Sequence, residues 1–83
     1  PMYPQCLKNV RVSDKNAAMT DPKILEEVDK VGKELGDSGR ILYRPSGTEP
    51  LVRVMVEAST EEACEAYVDR VIAVIRESGN AAE

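Results

Sequence analysis

Histidine, tryptophan and phenylalanine are absent from this chain, and cysteine occurs only at positions 6 and 64. Without histidine, no Ser-His-Asp or Cys-His arrangement can be assembled within it. Cys6 and Cys64 are far apart in the sequence, make no Cys-x-x-Cys and match no zinc-ligand spacing. They read as small buried or half-buried thiols of a reducing compartment. Aromatics are scarce as well: Tyr3, Tyr43 and Tyr67 are all there is, whereas sheets that bind single-stranded RNA need rings for the bases to stack on. Basic residues are outnumbered, with 11 Lys and Arg against 15 Asp and Glu and a net charge of −4. A nucleic-acid binder needs a basic stripe to neutralise phosphates, so no nucleic-acid partner is expected. A small phosphate ligand stays open, because two arginines converging locally outweigh a weakly negative mean. No apolar run approaches the ~20 residues of a membrane span, and no segment has the layout of a signal peptide. The expectation is a cytoplasmic protein with no membrane partner.

What is present is an ordinary composition, 42% hydrophobic and 31% charged over 83 residues. That is one domain, and a chain of this size buries roughly 60–65% of its unfolded surface, enough for one modest core. Pro1 and Pro4 stiffen residues 1–4, which read as an interdomain hinge inside something longer. Gln5 to Val12 alternates in part and ends in β-branched residues, the pattern of a strand. Ser13 to Ala18 is polar and loop-like. Thr20-Asp21-Pro22 supplies a capping oxygen followed by proline at a first helical position. Ile24, Leu25, Val28, Val31 and Leu35 then recur at helical spacing, Gly36 closes the helix, and Asp37-Ser38-Gly39 makes a turn. Further strands are predicted at Arg40 to Arg44, stopped by Pro45, and at Leu51 to Ala58, where Val52, Val54 and Val56 alternate with Arg53, Met55 and Glu57. Ser59 and Glu62 have the spacing of a capping box. The helix they open runs to about Ser78, with Cys64, Tyr67, Val68, Val71, Ile72 and Ile75 on one side and Gly79 at its end. Residues 80–83 read as a flexible tail. The economical arrangement is an α+β two-layer sandwich: a small, mainly antiparallel sheet with two helices on one face.

The chemistry concentrates in Arg44-Pro45-Ser46-Gly47-Thr48-Glu49-Pro50-Leu51-Val52-Arg53. A phosphate monoester calls for planar positive charge, hydroxyl donors and free backbone amides. Arg44 ends one strand and Arg53 lies early in the next, so a short hairpin-like connection brings both guanidiniums toward one concavity, where each can fork onto phosphate oxygens. Ser46 and Thr48 add hydroxyls. Gly47 between them lets a ligand approach the backbone and makes positive φ available, and successive amides there can form an anion-binding nest. Pro45 and Pro50 hold the loop ends. Glu49 repels phosphate and is expected to turn away, holding the loop through backbone amides or an arginine. The bland reading is a generic turn flanked by solvated arginines, or by arginines paired with Glu49 and Glu57. The loop is no Walker A motif, lacking both its glycine spacing and its lysine.

The run from Gly39 to Ala58, GRILYRPSGTEPLVRVMVEA, closely resembles the C-terminal domain of the α-D-phosphohexomutases, whose phosphate-binding loop reads Arg-x-Ser-Gly-Thr-Glu-Pro-x-x-Arg. The Arg-Val-Met-Val-Glu continuation, with Tyr3-Pro4-Gln5 and Asn9-Val10-Arg11-Val12 upstream, looks most like the bacterial phosphoglucosamine mutase branch. The phosphomannomutase/phosphoglucomutase branch shares the loop. The resemblance implies a TATA-binding-protein-like α+β domain over residues 5–79, the fourth of four lining one cleft. It also implies an isomerase that interconverts glucosamine 6-phosphate and glucosamine 1-phosphate through a 1,6-bisphosphate, toward UDP-N-acetylglucosamine and peptidoglycan. Its phosphoserine and Mg²⁺ would sit in other domains. Carried onto this chain, Arg44, Ser46, Gly47, Thr48 and Arg53 match the phosphate-binding positions, with Pro45, Glu49 and Pro50 as loop support. No catalytic residue and no metal ligand falls here, and Ser46 is not the phosphorylated serine. The chain alone is therefore expected to be inactive. A stand-alone sugar-phosphate-binding module is the competing reading.

Overall fold

Alternating valines build the middle of the sheet. In the computed structural model, which describes residues 3–82, strand β3 (Leu51–Glu57) lies between β1 (Gln5–Arg11) and β2 (Arg40–Pro45) and is antiparallel to both. Val52, Val54 and Val56 are fully buried on one face of β3, while Arg53 is exposed on the other. A slip of one residue would exchange the two sets, so burial of the valines pins the register. The core fills the space between this face and two helices, α2 (Pro22–Leu35) and α3 (Glu61–Glu77), with Ile24, Val31, Val68, Val71 and Ile75 fully buried. The architecture is the expected α+β sandwich.

Asp21 caps α2 by accepting from the Lys23 amide at 2.8 Å, with Pro22 at the first helical position. At the other end Gly36 takes φ 54, and a short 3₁₀ turn, Gly36–Ser38, leads into β2. Arg70 of α3 clamps the two helices together. Its guanidinium donates to Glu27 at 2.7 Å and to Glu34 at 2.9 Å, and stacks 5.5 Å from the centre of the Tyr67 ring. Those bonds hold the Glu34 carboxyl below its ordinary range.

Several local expectations are corrected. Ser13 to Ala18, loop-like in sequence, contains most of a helix, α1 (Lys15–Thr20), capped by the Asp14 carboxylate at 2.9 Å from the Asn16 amide and burying Ala18. Leu25 shares the helical spacing of the α2 stripe, yet it is 42% exposed. The packed line is Ile24, Val28, Val31 and Leu35, and Leu25 sits about 100° around the helix from Ile24. Tyr67 is only half-buried, at the margin of the α3 stripe. The cap of α3 is Thr60, which accepts from the Ala63 amide at 3.1 Å, and not Ser59. A cap at Thr60 places Ala63 where a capping box needs a carboxylate or amide side chain, so Glu62 cannot complete one. Asn80, Ala81 and Ala82 lie along the chain where β1 ends: Ser13 donates to the Asn80 carbonyl at 3.0 Å, the Ala82 amide donates to that of Arg11 at 2.8 Å, and Ala81 bridges Val12. Glu83 falls outside the described residues. Of the predicted hinge, Pro1 and Met2 are also outside them. The Pro4 carbonyl is tied to the Ala58 amide at 3.1 Å and the Cys64 thiol at 3.0 Å.

The fold brings the cysteines together. Cys6 of β1 donates to Glu65 at 3.4 Å. Burial, the Glu65 carboxylate and the neighbouring Cys64 together push the Cys6 thiol up to about 11 from its ordinary 9.0. Its alkylation by iodoacetamide, followed by mass spectrometry, is accordingly expected to rise with pH toward a midpoint near 11. A midpoint at the ordinary 9.0 would contradict the environment described.

Candidate functional site

The turn between β2 and β3 is tied to α1, whose Lys15 reaches the Ser46 carbonyl. Antiparallel pairing sets Arg44 directly opposite Arg53, and on the far side of β3 sets Asn9 opposite Arg53. Arg53 and Arg44 point away from the valine core, so both guanidiniums leave the same face of the sheet. Directly opposite residues have Cβ atoms about 5 Å apart, and like charges in that relation repel. Among the described residues, ion pairs engage Lys8, Lys30, Lys33, Arg40 and Arg70, and neither Arg44 nor Arg53 takes part in one. Glu57, offered by the sequence as a partner, is instead bonded to Gln5 at 2.8 Å and lies 4.0 Å from Arg40.

The loop is pinned from inside. Ser46 is the one buried polar residue among those described. Its amide donates to the Leu51 carbonyl at 3.0 Å, its Oγ accepts from the Glu49 amide at 3.4 Å, and its carbonyl accepts from Lys15 Nζ at 2.9 Å. The Leu51 amide donates to the Glu49 carbonyl at 2.8 Å, and the Val12 amide to the Pro50 carbonyl at 2.9 Å. Gly47, Thr48 and Glu49 stay exposed above this framework. Nearby, the Tyr43 hydroxyl donates to the Ala18 carbonyl at 2.8 Å, which fastens α1 to β2. Burial, with Asp21 adding its negative charge, pushes that phenol up to about 12 and keeps it a neutral donor.

Two particulars differ from the sequence expectation. Gly47 does not use the positive φ open to it, since Gly36 and Gly79 are the glycines that do. Its use is space, because a Cβ added there would meet nothing within 4 Å. Glu49 supports the loop through its main chain, and its carboxylate enters no hydrogen bond or ion pair among the described residues. Arg44 and Arg53 therefore share the open face at the end of the sheet from which the turn carrying Ser46, Gly47 and Thr48 leaves. Asn9 and Lys15 join them without having been singled out in sequence. The two-residue alternation of Asn9 with Arg11 was a usable signal for the former. Nothing local pointed to Lys15. Among the described residues, no three His, Cys, Asp or Glu side chains cluster as a metal ion would require. No helix among them is long and apolar enough to cross a membrane.

Fold and site together define a small α+β sandwich that displays a cross-strand pair of arginines, without an ion-pair partner among the described residues, beside a hydroxyl-bearing turn. Residues 7–74 match the family described as phosphoglucomutase/phosphomannomutase, C-terminal domain, and the chain belongs to it. The chain is 63% identical over 76 residues to a phosphoglucosamine mutase of Oceanobacillus iheyensis, a match that spans 92% of this chain and 17% of that protein. Among solved structures it resembles the Aspergillus fumigatus N-acetylphosphoglucosamine mutase in complex with glucose 1,6-bisphosphate, with a TM-score of 0.79, 25% identity, and coverage of 95% of this chain and 16% of the other. The same fungal enzyme in complex with GlcNAc-6P and magnesium superposes with a TM-score of 0.75 at 26% identity, covering 94% and 16%. The chain thus spans about a sixth of the length of the proteins it matches.

Proposed function

We propose that this chain is the phosphate-gripping C-terminal domain of a bacterial phosphoglucosamine mutase. The parent enzyme would interconvert glucosamine 6-phosphate and glucosamine 1-phosphate through a 1,6-bisphosphate, on the route to UDP-N-acetylglucosamine. Its reactive serine and its Mg²⁺ would be held by the preceding domains. The observation that carries the reading is the Arg44–Arg53 pair. Two like charges placed directly opposite each other, with no carboxylate between them, are unfavourable until an anion arrives. Thr48 and the main chain at Gly47 stand beside them as neutral donors.

The domain's task in the reaction is to hold the phosphate that is not reacting. Binding energy gained at that remote end orients the reacting end and lowers the entropic part of the barrier. The bisphosphate must present each phosphate in turn, so a grip built on charge and main-chain donors serves both orientations. Sugar selection would fall to other walls of the cleft.

The test is an amide titration by NMR with glucosamine 6-phosphate, using inorganic phosphate and free glucosamine as controls. Both phosphate-bearing ligands are expected to shift residues 46–49 and Arg53, in the millimolar range of about −4 kcal/mol, and glucosamine is expected to shift nothing. Equal responses to glucosamine and its phosphate would remove the basis for a phosphate grip.

A further inference from the structure

The peptide joining Ser46 to Gly47 is held by a residue outside the loop. Its carbonyl oxygen accepts from Lys15 Nζ at 2.9 Å, through a part-buried bond between positions 31 residues apart. No cis peptide occurs among the described residues. In a planar trans peptide the C=O and the N–H point in opposite directions. Fixing the Ser46 oxygen toward Lys15 therefore aims the Gly47 N–H away from α1. Gly47 is exposed, and the empty space around its missing Cβ lets an anion come within reach of that N–H. Ser46 itself cannot turn freely, since its amide and Oγ are both engaged inside the loop.

Lys15 is in turn well placed to hold its partner. Asp14 caps the first turn of α1, the Tyr43 hydroxyl grips the Ala18 carbonyl, and the Val12 amide is bonded to the Pro50 carbonyl. The start of α1 and the far end of the loop are thereby fixed relative to each other. A lysine with a mobile base would spend more rotamer entropy on the same bond.

We propose that Lys15 is a positioning residue for the anion site: it locks the Ser46–Gly47 peptide so that the Gly47 N–H is presented to phosphate. The inference rests on the phosphate-gripping reading above. Glycine makes rotation of that peptide easy, so without the ammonium the N–H would sample other directions.

The experiment uses the full 83-residue chain, ¹⁵N-labelled, with inorganic phosphate as the probe. Before ligand is added, the Lys15 ammonium resonance is expected to exchange with water more slowly than that of exposed Lys23. On titration, the Gly47 amide of the wild type should move downfield together with the Arg44 and Arg53 side-chain Nε signals. Lys15→Met is expected to abolish the Gly47 response and weaken phosphate binding about tenfold, the size of one hydrogen bond to a charged group, while the arginine signals still respond. Lys15→Arg, which keeps a charged donor, should restore the Gly47 response. An unchanged Gly47 response in Lys15→Met would overturn the inference, and so would a Lys15 ammonium that exchanges as fast as that of Lys23. Arginine signals that respond while Gly47 stays silent in the wild type would sink the Lys15 inference alone. Silence of all of them would sink the phosphate grip with it. The ammonium measurement and the Lys15→Arg variant decide the matter even if Lys15→Met fails to fold.

Discussion

Arg44→Ala, introduced into the parent enzyme, is expected to lower kcat/KM by about 2–4 kcal/mol, roughly 30- to 900-fold. On the proposed reading the phosphate would lie between two guanidiniums, which the register sets opposite each other across β2 and β3. Removing one would strip the phosphate of that arginine's forked contacts and leave part of its charge uncompensated. The loss should fall largely on the step that reads transition-state binding, because the grip orients the reacting end. Arg44→Lys should recover only part of it, since an ammonium is a point charge without the planar fork. Arg40→Ala is the matched control. Arg40 occupies the same strand and the same face at the opposite end, near Glu57 and away from the loop, and its loss should leave the kinetics close to wild type. Steady-state kinetics on the three variants decides the matter. An Arg44→Ala enzyme as active as Arg40→Ala would mean that the arginine pair does not bind substrate.

The second large effect concerns folding. Gly39→Ala is expected to destabilise the domain by about 3 kcal/mol, at the upper end of what an overpacking substitution causes. The reason is space and not backbone conformation: Gly39 has φ 177, an extended value any residue adopts. A Cβ there would overlap the carbonyl oxygen of Glu57, sit 3.0 Å from its carbonyl carbon and lie 3.1 Å from Leu35 Cδ2. The obstacle is main chain of the central strand, which cannot swing aside as a side chain can. The start of β2 would have to lift off β3, in a domain whose whole stability is of order 4–12 kcal/mol by its length. For a domain of this size the melting temperature should fall by roughly 12–24 °C. Gly47→Ala is the control, because nothing lies within 4 Å of the added methyl and φ there is not positive. Its stability should stay within about 0.5 kcal/mol of wild type. Thermal unfolding followed by circular dichroism tests both. A Gly39→Ala domain that melts with the wild type would show that β2 can join β3 without this close approach.

These two positions differ in how visible they are in the sequence. Arg44 stands out because it shares a ten-residue stretch with Ser46, Thr48 and Arg53, where residue type and spacing already suggest an anion. Gly39 looks like one more turn residue after Asp37-Ser38, and only the packed structure shows what its Cβ would strike. Lys15 is more hidden still. It lies in a polar stretch with no period to read, in a helix of six residues, shorter than two turns and too short for an apolar stripe to repeat. Ser59 and Thr60 stand side by side with the same capping chemistry, and only the bond from the Ala63 amide to Thr60 Oγ1 tells them apart. The bond from the Ala58 amide to the Pro4 carbonyl, across the sheet, carries the extended chain one residue further.

The sequence by itself determined the elements that repeat: the valine alternation of β3, the apolar stripes of α2 and α3, the Asp21-Pro22 helix start, and the motif that places the chain in its family. Each is written in residues within a few positions of one another, where backbone geometry converts spacing directly into a face. The tertiary structure decided what depends on residues far apart in the chain. It placed Arg44 opposite Arg53 with no carboxylate among the described residues to quench them, laid residues 80–82 along the end of β1, set Cys6 beside Cys64, and brought Lys15 to the Ser46 carbonyl. Those outcomes follow from strand register and from the closure of one core, which no local pattern encodes.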